Sequence, residues 1–203
     1  MKQRPVIDVS ELPSVVFGSR APIWWGVVGL VTIESMGFAL LAAAYFYLRG
    51  GASEWPPPGV INPPLALTTT ALLVLLASSF CMHEAAKAAK RAELGRILRW
   101  LIATAGLGYV FLVLRGFEFA SMSYEWRSHA YGSIVWVIVG IHTLHILTSA
   151  VEKTIFIVLF IRGPVEDKHL TDVATNEVYW HFVSLSWLVF YVILYLEPGF
   201  FRP

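Results

Sequence analysis

A small set of ionisable side chains lies inside stretches of this sequence that are otherwise apolar. Glu34 stands near the middle of residues 23–48, a run long enough to cross a lipid bilayer. A carboxylate at that depth costs roughly 2.5–3.5 kcal/mol on insertion scales, so it is normally paired, hydrated or protonated. His142 and His145 are three residues apart on the apolar segment 131–161, hence near one face of a helix. Counted inward at about 1.5 Å per residue, they reach a depth similar to that of Glu34. A Glu–His contact there offers two roles, a protonatable site or a structural polar contact, and spacing alone leaves both open. Arg115 and Glu118, also three apart, suit an intrahelical ion pair near the end of segment 97–119. Glu152 and Lys153 are adjacent and point to different sides, with Lys153 near enough to a helix end to snorkel.

Other chemistries find less support. Two histidines at this spacing suit a shared metal ion, but not opposite axial positions of one haem. His181, at the start of segment 179–196, and His83, near the end of 65–90, are expected near one membrane edge, away from that depth. No complete ligand set assembles, so no metal or haem is expected in the chain. Cys81 is the single cysteine, which excludes an internal disulfide and a thiolate cluster. No nucleophile–base pair, phosphate loop or dinucleotide fingerprint accompanies these residues, and no self-contained catalytic centre is expected.

The elements that must hold these groups are helices. The chain has 203 residues, 57% hydrophobic and 14% charged, with a mean hydropathy of +0.64. Soluble domains carry about 25% charged residues, and here the charges cluster between apolar blocks. Five blocks, about 23–48, 65–90, 97–119, 131–161 and 179–196, are continuous rather than alternating. Lipid admits only helices or closed barrels, so an all-α bundle of five transmembrane helices is predicted after an N-terminal segment 1–22. Gly50, Gly51 and the run from Trp55 to Pro64 end the first helix. Ser35, Ala39 and Ala43 recur at four-residue spacing and predict a close-packing face.

Basic residues predict the orientation. Lys2, Arg4, Arg20, Lys87, Lys90, Arg91, Arg96, Arg99, Arg162 and Lys168 fall on one side, against Arg49, Arg127 and Arg202 on the other. The positive-inside rule then puts the N-terminus in the cytoplasm and the C-terminus outside. Residues 1–21 include Asp8 and Glu11 and lack an apolar core, so the first helix is expected to act as its own insertion signal. A formal net charge of +1 gives no reason to expect a nucleic-acid partner.

Ordered motifs along nearly the whole chain after Pro22 carry a resemblance. Trp24-Trp25 through Ile33-Glu34-Ser35, then Trp55-Pro56-Pro57-Pro58-Gly59 with Asn62-Pro63, are followed by Gly116-Phe117-Glu118-Phe119. Tyr131-Gly132-Ser133 with Gly140-Ile141-His142-Thr143-Leu144-His145, then Tyr179-Trp180-His181-Phe182-Val183 and Trp187, complete the set. In this order they resemble subunit III of the haem-copper respiratory oxidases, the cytochrome c oxidase complex, in its short five-helix bacterial-type form. The resemblance implies a plasma-membrane subunit without a redox centre. It would sit beside subunit I, which carries haem and copper, with subunit II and other subunits, in a complex that takes electrons from cytochrome c and pumps protons. It further implies a V-shaped cleft that holds phospholipid, and a part in proton uptake or oxygen access. On those grounds Glu34, His142, His145 and Glu118 are the proton-uptake or buried polar candidates. Arg115, His181, Trp180 and Trp187 are the lipid-binding or interface candidates. Ser184 stands where the family usually has aspartate, Arg115 where it often has glutamine, and Ser128-His129 where it has Asp-Gly. Two other functions remain in view: the accessory subunit of a nitric oxide reductase, and a stand-alone proton channel or transporter. The lack of inverted repeats speaks against the transporter.

Overall fold

The computed structural model describes residues 15–196. A single 3-10 turn, Gly18–Arg20, leads into α1 (Pro22–Gly50), with Pro22 at a position where its missing N–H costs nothing. Then come α2 (Leu65–Ala89), α3 (Leu94–Ser121), α4 (Ala130–Arg162) and α5 (Asp167–Tyr191), which continues as a π-helical turn, Val192–Leu196. All five are long and apolar enough to span a membrane, and no strand occurs among the described residues. The chain is an all-α, multi-pass membrane bundle. Lys2, Arg4 and Arg202, used in the count of basic residues, lie outside the described residues, as does most of segment 1–22.

α2 and α3 form a hairpin closed by the turn 90–93, where Ala92 adopts the left-handed region at φ 53°. α2 also packs on α5, α3 on α4, and α1 lies along α4 and α5. α1 buries only Phe38 and Tyr45, so it flanks the bundle rather than sharing its core. The Ser35, Ala39 and Ala43 face is not the packing face expected, because Ala39 and Ala43 are exposed. The inward face is the one carrying Glu34, Phe38, Leu41 and Tyr45, whose larger side chains fill the space beside α4 and α5.

The proline-rich loop after α1 is tied down by polar contacts that replace helical ones. Asn62 Oδ1 accepts from Tyr124 Oη at 3.2 Å and from Tyr131 Oη at 2.9 Å. Burial, reinforced by the neighbouring Tyr131 hydroxyl, holds the Tyr124 phenol well above its ordinary range, so it stays a neutral donor. Trp55 meets Tyr45 and Tyr131 edge-on at 5.4 and 5.0 Å. α4 starts where His129 Nδ1 accepts from the Gly132 N–H at 2.8 Å, and a Cβ on Gly132 would lie 2.6 Å from the Glu125 carbonyl oxygen.

α5 departs most from expectation. It begins at Asp167, twelve residues before the apolar run at Tyr179. Hydropathy detects lipid-facing length, whereas this first part is helical because it is capped and packed. His169 Nδ1 accepts from the Glu166 N–H at 3.0 Å, while Leu170, Val173 and Ala174 turn into the core. His181 therefore sits mid-helix, not at a helix start.

Candidate functional site

Two polar clusters are built from the residues singled out in the sequence. In the first, Glu34 of α1 faces α4 and α5. Tyr179 Oη donates to Glu34 Oε1 at 3.3 Å, and His145 Nε2 lies 3.5 Å from Glu34 Oε2. His145 Nδ1 sits 2.7 Å from the Ile141 carbonyl. A carbonyl only accepts, so Nδ1 carries the hydrogen, and the neutral ring presents a lone pair at Nε2. Two lone-pair atoms then face each other across 3.5 Å, an arrangement relieved when one proton sits on either group. Glu34, Gly37, Phe38, Leu41, Ile141 and His145 line a cleft of about 310 Å³ beside them. The apolar walls keep the dielectric low, which strengthens the polar contacts that Glu34 makes there.

His142 is not part of this pair, contrary to the sequence expectation. Three residues of α-helix turn about 300°, which leaves a 60° offset, and here that offset separates the two rings. His142 points into the bundle, wholly buried, and its Nε2–H donates to the Val183 carbonyl at 3.0 Å. Its ring stacks at 4.6 Å on Trp187.

The second cluster also meets Trp187, where the Arg115 guanidinium lies 3.7 Å from the ring centroid and 4.8 Å from that of Phe111. Arg115 Nη1 donates to both Glu118 oxygens at 2.8 Å, and Tyr195 Oη donates to Glu118 Oε1. Both charged groups are wholly buried. Arg115, Trp180 and Trp187 were expected at a lipid or subunit interface. They are instead enclosed by the chain's own helices, with no accessible surface, and touch neither. Of those four interface candidates, His181 alone keeps accessible surface.

Two further placements correct the sequence. Lys153 does not snorkel: it is buried with Nζ 2.6 Å from Asn176 Oδ1 and 4.1 Å from the Trp180 ring centroid. Glu152 accepts from Asn176 Nδ2 at 2.6 Å and so is held through Asn176. Asn176 was missed because it lies in the polar first part of α5, which looks like a loop on hydropathy. Ser184, in the position the family usually gives to aspartate, donates to the Trp180 carbonyl at 2.8 Å.

The comparisons with known proteins agree with this architecture. The family model for cytochrome c oxidase subunit III matches residues 15–198. Cytochrome c oxidase subunit 3 of Thermostichus vulcanus is 32% identical over 178 residues, covering 86% of this chain and 87% of that protein. The probable cytochrome c oxidase subunit 3 of Nocardia farcinica is 33% identical over 176 residues, covering 84% and 85% respectively. That of Mycobacterium tuberculosis is 32% identical over 177 residues, with the same coverage. With five spanning helices and a match over nearly its whole length, the chain belongs to the cytochrome c oxidase subunit III family and so to a multi-subunit oxidoreductase complex of the membrane.

Proposed function

We propose that this chain is the non-redox subunit III of a proton-pumping cytochrome c oxidase in a bacterial plasma membrane. It contacts subunit I directly, stabilises it, and supplies a protonatable site that assists proton uptake. The haem and copper belong to the partner subunits, and cytochrome c delivers electrons to the complex rather than to this chain. The observation that carries the proton role is the Glu34–His145 pair, whose facing lone pairs accommodate one proton beside an apolar cleft. A lipid chain suits the same cleft, whose Phe38, Leu41 and Ile141 walls are apolar, and α1 buries little of its own surface. Phospholipid held there would seal the flank of α1 and fix its spacing from α4.

The test is the purified holoenzyme carrying Glu34→Ala or Glu34→Gln. Gln keeps an acceptor for Tyr179 but cannot carry the exchangeable proton. Both variants are expected to assemble with the full set of subunits and to lose sustained turnover, with Glu34→Asp retaining part of it. Unchanged turnover and lipid content in Glu34→Gln would reduce Glu34 to a structural contact.

A further inference from the structure

A third polar cluster shares no residue with the two described above. It lies between α2 and α5, in the half of the bundle near the α2–α3 turn. Glu177 Oε1 is 2.6 Å from His83 Nδ1 and 3.5 Å from His181 Nε2, and the three ligand-type atoms lie within 4.8 Å of one another. Ser79 hydrogen-bonds His181 Nδ1 from one turn before His83, which fixes the imidazole with Nε2 toward the carboxylate. His83 is half-exposed, so one side of the cluster is open to an incoming ligand.

We propose that His83, Glu177 and His181 form a binding site for a divalent cation of the zinc class. Two imidazoles and one carboxylate suit zinc rather than magnesium or calcium, which favour oxygen sets. Zinc bonds of about 2.0–2.2 Å need ligand atoms roughly 3.3–3.5 Å apart in a tetrahedral set. The 3.5 Å separation already meets this, and the 2.6 Å one opens by rotation of the exposed His83 side chain. The fourth position falls on the open side, where water completes the set. Ser79 plays the outer role, orienting a ligating histidine through its other nitrogen. Lys90 Nζ, 3.7 Å from Glu177 Oε2, leaves Oε1 to the metal. Glu84 is not a fourth ligand, since Lys87 and Arg96 occupy its oxygens at 3.4 and 3.6 Å. Bound metal would clamp α2 to α5. Because this site shares no residue with the Glu34 pair, it stands or falls independently of the proton role.

The experiment uses the full chain in its native complex and, separately, purified in detergent. Both are stripped with chelator, then titrated with zinc and with cobalt as an optical probe. The expected result is one zinc per chain, with a cobalt spectrum of low-coordinate imidazole–carboxylate type and a raised thermal midpoint. His83→Gln and Glu177→Gln should weaken zinc binding by about tenfold or more, and Ser79→Ala by about tenfold, as outer partners of ligating histidines do. Gln keeps an N–H donor for Glu177 at this exposed position, and the apo thermal midpoint of His83→Gln, measured alongside, separates ligand loss from misfolding. Zinc uptake that is equal in wild type and His83→Gln, or no stoichiometric uptake at micromolar free zinc, overturns the site.

Discussion

At the scale of single residues, what these side chains do is decided by which lone pairs and charges are left facing each other once water is gone. Arg115 and Glu118 illustrate the cost. Each is wholly buried and each keeps its charge tolerable through the other, through Tyr195, and through the Trp187 face. Removing one partner leaves an isolated charge in a low dielectric, whereas removing both leaves an apolar gap. Arg115→Met alone should therefore destabilise the bundle by about 3–5 kcal/mol, while Arg115→Met with Glu118→Leu should cost much less. Denaturant titration in detergent measures both, and a double variant as unstable as the single one would mean that packing around Trp187, not charge, dominates. This pair was legible in the sequence because both partners share one helix and three residues fix their separation. The Glu34 partner was only half legible. Spacing brought His142 and His145 to one depth, but the choice between them depends on helix rotation, which packing sets. Of the His83–Glu177–His181 cluster only the shared membrane edge of the two histidines was legible, since the contact through Glu177 depends on the register of α2 against α5 across 94 residues of chain.

At the scale of elements, the hydropathy pattern predicted five helices and their order, and it failed where a helix is held by packing instead of lipid. The polar start of α5 is the clear case, and it supplies Asn176 to Lys153 and Glu152, and Glu177 to the His83–His181 cluster. How helices are spaced is a separate matter, decided by small residues at points of closest approach. Gly108 on α3 is such a point: a Cβ there would lie 3.2 Å from Trp180 Cη2 and 3.8 Å from the Ala150 Cβ. Trp180 cannot yield easily, being wholly buried and carrying Lys153 on its face. Gly106, two residues away, would place a Cβ in open space. Alanine is preferred over glycine within a helix by about 1 kcal/mol, so Gly106→Ala should raise stability by up to that amount. Gly108→Ala should lower it by about 1–3 kcal/mol through overpacking. Thermal unfolding of the two variants in one detergent compares them directly. Shifts of the same sign would show that the α3–α5 contact is looser than the 3.2 Å approach implies.

At the scale of the whole molecule, the charges that stay out of the bundle's interior gather at its ends. Thr171 Oγ1 donates to the Val16 carbonyl at 3.0 Å, which ties the segment before α1 to the start of α5. The α2–α3 turn and the α4–α5 turn lie at that same end because the helices alternate in direction. Arg20, Lys87, Lys90, Arg91, Arg96, Arg99, Arg162 and Lys168 therefore share one end, while Arg49 and Arg127 lie at the other. Lys and Arg near helix ends stay on the cytoplasmic side during insertion, so this asymmetry predicts that the α2–α3 turn faces the cytoplasm. In a background with buried Cys81 changed to Ala, single cysteines in place of exposed Glu54 and Arg91 probe the two ends. A membrane-impermeant maleimide applied to intact cells should label Glu54→Cys and spare Arg91→Cys until the membrane is opened. The reverse pattern would invert the bundle. It would also invert the direction of any proton traffic through Glu34, because that side chain lies about midway along α1 and its nearer aqueous phase is set only by which end faces in.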